Sequence, residues 1–372
     1  MINIAKRVLA QGLSVALVGL FSLSTTVTAQ SQHYKQTNLV SDTPGMAPVT
    51  DPNLVNPWGM SRSSGSPWWI SDNGPGLTTL YTGTGTPAAL VVTIPPADSS
   101  TGAGGTPTGQ IFNGTSDFQL APGFPARFIF VTEDGTVSGW NPAVNPTTAV
   151  IMVNTKSASV FKGIAVATVT DPGMGDLNFL YVADFRKGRV DVYDTNFHRI
   201  PLGEDAFEDQ RIPRGFTPFN VQNIGGNLYV AFAQQDSEKH DEVDGAGLGY
   251  VDVFSPTGRL LHRLQSGQWF NAPWGMAQAS GDFGAYSHDI LVGQFGSGEI
   301  LAFDPVTGHY KGKLVDSTNA PIAIEGLWGL AFGSGGGSGP ANSLYFTAGP
   351  GGEQHGLFGT ITPIENVLGG DH

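Results

Sequence analysis

The sequence predicts an all-β chain folded as a six-bladed β-propeller closed by an N-terminal strand. Three observations carry this: a unit that recurs at about 54 residues, short alternating apolar runs within each unit, and turn residues spread along the whole chain. The 52 glycines and 25 prolines gather in no single linker. Such a spread suits many short strands joined by tight turns.

Each unit opens on a glycine beside a bulky residue. Asn56-Pro57-Trp58-Gly59-Met60 returns as Ala272-Pro273-Trp274-Gly275-Met276, and more loosely as Leu327-Trp328-Gly329-Leu330. Phe161-Lys162-Gly163-Ile164 and Thr217-Pro218-Phe219-Asn220 hold comparable points between them. One slot remains between Gly59 and Gly163, and the diverged segment around Ala126-Arg127-Phe128-Ile129 is assigned to it.

A second element follows each opening: Trp68-Trp69-Ile70-Ser71-Asp72-Asn73, Leu180-Tyr181-Val182-Ala183-Asp184-Phe185, Leu228-Tyr229-Val230-Ala231, Ile290-Leu291-Val292-Gly293-Gln294 and Leu344-Tyr345-Phe346-Thr347. A third reads Gly188-Arg189-Val190-Asp191-Val192-Tyr193, Gly249-Tyr250-Val251-Asp252-Val253-Phe254 and Gly298-Glu299-Ile300-Leu301-Ala302-Phe303. Alternating β-branched and aromatic runs between glycine-rich turns are strands. One small sheet cannot cover both its faces, whereas sheets packed radially cover each other. Ring closure then needs the chain ends to meet, with Tyr34-Lys35-Gln36-Thr37-Asn38-Leu39-Val40 completing the blade that ends near Phe358-Gly359-Thr360-Ile361. A β-sandwich or a seven-bladed ring is the competing architecture.

Residues 1–29 read as a signal peptide: Lys6 and Arg7, an apolar run over 8–23, then Val27-Thr28-Ala29. An uncut membrane anchor is the alternative, but the run is shorter than the ~20 residues a spanning helix needs. Residues 30–372 then form a single propeller domain, with no membrane span, in a secreted or periplasmic protein. Loop insertions are expected near 95–118, which is rich in glycine, and near 234–247, the densest charge in the chain. The second reads as a solvated surface loop, or as a cover for one end of the channel.

Thirty-one acidic against 18 basic residues give a net charge of −13, which disfavours nucleic acid and anionic membranes as partners. The absence of cysteine excludes disulfides, thiolate metal sites and cysteine nucleophiles. No His-Glu-x-x-His or Gly-x-Ser-x-Gly pattern occurs.

The first strand of a blade lines the channel, so Trp58, Trp274 and Trp328 either fill space near the axis or wall a pocket there. Arg127 and Lys162 join them as candidate ligand-binding residues. Asp72, Asn73, Asp184 and Asn220 are the best oxygen set for calcium, the one cofactor the residue types suit, although taken individually the aspartates are better read as capping strand ends. His355, in a loop that departs from the repeat, and Glu133 are the candidate catalytic residues.

Asn56-Pro57-Trp58-Gly59, Asp72-Asn73-Gly74, Tyr181-Val182-Ala183-Asp184-Phe185 and Ala272-Pro273-Trp274-Gly275-Met276 together resemble an uncharacterised family of exported bacterial propeller proteins, related in blade style to the NHL-repeat proteins. The resemblance spans nearly all of residues 30–372. Some members of that family end in a hydrophobic sorting signal, which Ile364-Glu365-Asn366-Val367-Leu368 and the residues after it do not match. The family implies no settled activity. More distant six-bladed propellers include calcium-dependent lactonases and esterases, whose metal-binding set is only loosely matched here. Two functions are therefore expected. The first is an extracytoplasmic protein that binds a small molecule, glycan or envelope protein at the channel mouth. The second is a calcium-dependent lactonase- or esterase-like hydrolase with its metal in the channel.

Overall fold

The computed structural model describes residues 33–364 except residue 204, so the expected signal peptide lies outside the described residues. Within them six sheets of four or five strands form the blades, a further two-stranded sheet joins Gln119–Ala121 to Phe124–Pro125, and there is no α-helix. Blade 1 runs outward from Pro57–Ser61 through Trp68–Asp72 and Leu77–Tyr81 to Val92–Thr93. Blades 3, 4 and 5 begin at Phe161–Asp171, Phe216–Ile224 and Pro273–Gln278. Blade 6 begins at Leu327–Phe332, and its outer strand is Tyr34–Ser41, paired with Leu357–Pro363 so that Thr37 faces Thr360. The N-terminal strand thus closes the ring as expected. Tyr34 also ties it to the preceding blade, its hydroxyl donating to the Phe283 carbonyl at 2.9 Å.

Blade 2 corrects one expectation. Its inner strand is Pro107–Phe112, and Phe128–Thr132 is its second strand, pairing Thr132 with Pro107 and Phe128 with Phe112. The missing repeat therefore lies inside the segment assigned to a loop over 95–118, and Thr108-Gly109 is the counterpart of Trp58-Gly59. A threonine where other blades carry an aromatic or lysine hid the match.

The blades hold together through their faces. Period-two alternation sends neighbouring side chains of a strand to opposite sides of the sheet. Trp69 accordingly stacks on Phe128 of blade 2 at 4.0 Å, while Trp68 leans on Tyr345 of blade 6 at 5.0 Å. Two adjacent indoles thus join blade 1 to both neighbours.

At the axis the inner strands touch backbone to backbone. A Cβ on Gly59 would lie 2.5 Å from the Thr108 carbonyl oxygen, one on Gly109 2.8 Å from the Gly163 Cα, and one on Gly275 2.2 Å from the Trp328 carbonyl oxygen. Blade 4 has Asn220 at this position, and its side-chain amide donates to the Trp274 carbonyl at 2.8 Å. The repeated glycine is thus a spacing device between blades, and asparagine replaces it with a hydrogen bond.

Gly275→Ala is expected to lower stability by roughly 2 kcal/mol or more, because its contact is rigid backbone. Gly65→Ala, with open space around it, should stay within about 0.5 kcal/mol of wild type. Equal urea midpoints for the two variants would contradict this account of the axis.

Candidate functional site

Proline and glycine fix where the inner strands start and how near the axis they run, so the bulky residue between them fills the channel. Trp58 and Trp328 stack with centroids 3.4 Å apart, and Trp274 meets both edge-on at 5.8 and 5.7 Å. Phe219 packs against the pair. Exposures of 2%, 4% and 0% for Trp58, Trp274 and Trp328 show that these rings plug the channel instead of walling an open pocket. The indole N–H of Trp328 donates to Asn56 Oδ1 at 3.1 Å.

Lys162 lies on this plug, fully buried, with Nζ 4.8 Å from the centre of the Trp58 ring. A lone ammonium would not survive there; burial favours the neutral amine. Glu133 Oε1 accepts from Nζ at 2.6 Å and Asp241 Oδ1 at 3.1 Å. Together with Glu242 they outweigh the desolvation and hold the amine above the usual lysine range, so it stays charged.

The network spreads from blade to blade. Asn73 donates to Glu133 Oε2 at 2.8 Å, and the Asn56 amide donates to Glu353 Oε2 at 2.8 Å and more weakly to Asn73 Oδ1 at 3.4 Å. Asn56 and Ala272, which precede the two matching Pro-Trp-Gly turns, share a left-handed φ near +50° (47° and 50°), so the backbone geometry repeats along with the sequence. Asn56, Asn73, Glu133, Lys162 and Glu353 all sit at the end of the blades where the inner strands begin.

The insertion near 234–247 covers this end. Glu242–Val243 pairs back onto Gln234 and Gln235, making a short hairpin whose tip carries His240 and Asp241. Besides the contact with Lys162, the Gln235 amide donates to the Phe185 carbonyl and Asn271 accepts from the Gly245 N–H, so blades 3 and 5 anchor the two flanks. The insertion thus lies over this end while Ser237, Glu238 and Lys239 at its tip stay exposed to solvent. Asp241 is 61% exposed, yet a hydrogen bond from His240 and the charge of Lys162 hold its carboxyl well below the usual range. Burial pushes the neighbouring Glu242 up to about 8, and also raises Glu353. Side by side stand one carboxyl held low and one pushed up.

The other candidates fall elsewhere. Asp72 is buried beside Thr79 and Asp184 beside Ser159 and Lys187, and burial raises both carboxyls. Asn220 is committed to the axis, so of the calcium set only Asn73 joins the charged cluster. Glu133, His240 and Asp241 do offer atoms within 4.8 Å of one another, but the Lys162 ammonium already lies against two of them. As arranged, the cluster therefore does not fit calcium. Arg127 is exposed at the opposite end of its strand from Glu133, and exposed His355 pairs with Asp42 at 2.9 Å. The members that sequence reasoning underrated are Asp241, Glu242 and Glu353. For the first two the signal was the charge density of the insertion, and for Glu353 its place two residues before His355.

The opposite end, where the inner strands finish, holds an open cavity of about 540 Å3 lined from blades including Met60, Ile111, Ile164, Met276 and Leu330. The aromatic plug and the glycine ring lie between the two mouths.

Glu242 binds a proton more tightly folded than unfolded, so its ionisation destabilises the fold as pH rises from about 4.5 towards 8. Wild type should lose stability relative to Glu242→Gln across that interval, by up to about 4–5 kcal/mol, in parallel denaturation series. A difference between the two proteins that stays flat with pH would show that Glu242 titrates normally.

The chain matches no protein-family profile. Among solved structures it is similar to an α-L-arabinofuranosidase from Fusarium graminearum (TM-score 0.54, 10% identity, covering 88% of this chain and 98% of that one). It is also similar to a streptogramin B lyase (TM-score 0.50, 11% identity, 90% and 98%). At such identities the likeness concerns the propeller fold alone. In sequence, two uncharacterized proteins of Acanthamoeba polyphaga mimivirus are similar over 308 residues each: one is 33% identical, covering 80% of this chain and 73% of its own, the other 32% identical, covering 80% and 78%. The chain belongs to the same family as these two mimivirus proteins.

Proposed function

We propose that this is an extracytoplasmic binding protein that takes a hydroxyl-rich ligand, a glycan, at the charged mouth, with the 236–241 hairpin tip as its lid. The observation that carries this reading is the convergence of amides, carboxylates and one ammonium from blades 1, 2, 3, 4 and 6 on a single hydrogen-bonded cluster. Hydroxyl groups both donate and accept, so they can exchange with such a set, whereas an anion would meet several carboxylates. The lid reading rests on the ion pair of exposed Asp241 with Lys162, which a competing ligand can replace. Export by the signal at residues 1–29 belongs to the same proposal.

A hydrolase is the second reading, favoured by the contrast between Asp241, held low, and Glu242, pushed up, because separated carboxyl pKa values are what acid–base chemistry uses. Its calcium-dependent form would require the ion to displace Lys162.

Expressed with its own N-terminus in a bacterial host, the protein is expected outside the cytoplasm with an intact mass beginning near Gln30. On a glycan array it should retain a defined set of structures, and Asp241→Asn should change their affinity at least tenfold while leaving the melting temperature within a few degrees. No retained glycan, or an unchanged affinity in the variant, would end the binding reading. Loss of binding and a lowered melting temperature after chelation would instead favour the metal site.

A further inference from the structure

The cavity at the other mouth differs in character from the charged cluster. Apolar side chains, Met60, Ile111, Ile164, Met276 and Leu330 among them, share its lining with the amides of Gln110, Asn223 and Gln278, and no acidic side chain lines it. One cation does: Arg62. In a chain of net charge −13 this guanidinium makes no ion pair among the described residues.

Arg62 is held in place without being neutralised. Its Nε and Nη2 donate to the Phe332 carbonyl at 2.9 and 2.6 Å, and Nη2 also donates to the Gly333 carbonyl at 3.0 Å. The Trp68 ring supports it from 5.4 Å. Nη1 has no hydrogen bond among the described residues, which leaves one amino group of a rigid, half-buried cation to serve a ligand. Carbonyl oxygens carry only partial charge, so the positive charge remains available to an anion, and desolvation makes it more eager for one. Gln222, exposed and with no side-chain hydrogen bond among the described residues, adds an amide to the same cavity.

We infer that this mouth is a second binding site, for a small amphipathic monocarboxylate whose carboxylate meets Arg62 and whose apolar body lies along the ends of the inner strands. The volume, about 540 Å3, falls within the range that takes whole small molecules. Selectivity follows from the lining: a neutral molecule of the same shape gains the apolar contact and forgoes the charge-assisted bond, while a dicarboxylate brings a second charge to a wall without a partner for it. The plug of tryptophans separates this site from the charged mouth, so the inference stands independently of the glycan reading.

The test is calorimetric titration of the purified protein with hexanoate, decanoate and 4-phenylbutanoate, each below its aggregation concentration, against decanol. At least one carboxylate should bind saturably, with decanoate at least tenfold tighter than decanol. Arg62→Gln should bring decanoate to the level of decanol. Because Arg62 also ties down the Phe332 carbonyl, Gln222→Glu supplies a variant that disturbs no hydrogen bond: it should weaken the carboxylates severalfold and spare decanol. Asp241→Asn, at the far mouth, should leave all of these affinities unchanged. No saturable carboxylate binding, equal affinity for decanoate and decanol, or indifference to Gln222→Glu would overturn the proposal.

Discussion

The buried ammonium of Lys162 organises one end of this molecule. A charge at zero exposure is tolerable only where opposite charge and hydrogen bonds reach it, and removing one partner of such a pair costs about 3–5 kcal/mol. Here the partners come from blade 2 and from the blade 4 hairpin, and the indole of Trp58 supplies the face beneath. Once Glu133 is fixed by Lys162, its second oxygen fixes Asn73; the asparagine pair then links to Glu353 of the neighbouring blade 6. Five loops are set by one cation.

That arrangement exists because the axis is narrow. Glycine at the closest approach of the inner strands lets the blades meet at contact distances that a Cβ would forbid, and the residue before it has little space but the axis itself. Three tryptophans and a phenylalanine fill the space, so the propeller has two mouths with no open passage between them. Chemistry separates as well: carboxylates and the lysine gather where the inner strands begin, aliphatic side chains, amides and Arg62 where they end. A single glycine-dependent spacing thus yields two mouths of different chemical character.

Much of the ring was legible because the repeat is physical. Pro-Trp-Gly at 57–59 and 273–275 marks the same crowded entry to the axis, and Tyr34–Ser41 had to pair with the last blade because a ring has no free edge to spare. Blade 2 was misplaced by one strand since Thr108-Gly109 keeps the glycine but loses the bulky neighbour, and the glycine-rich run before it resembles a loop. Among candidate site residues, Lys162, Glu133 and Asn73 lie in register with the blade ends, and the structure brings these three into one hydrogen-bonded cluster. Glu242 and Asp241 were discounted because period and register say nothing of a hairpin that folds back over the axis. Asp72 and Asp184 show the converse limit: carboxylates at matching repeat positions face the interior of their own blades, where capping a turn and lining a channel look alike in sequence.

The account turns on whether Lys162 holds the hairpin over the charged mouth. Amide hydrogen exchange of wild type and Asp241→Asn reads this directly. With the ion pair weakened, amides of residues 236–241 should exchange at least tenfold faster while those of the strand Asn227–Gln235 keep their protection. Unchanged protection at the tip would mean that the hairpin is held by its own pairing and its contacts to blades 3 and 5, and that the buried lysine does not govern access.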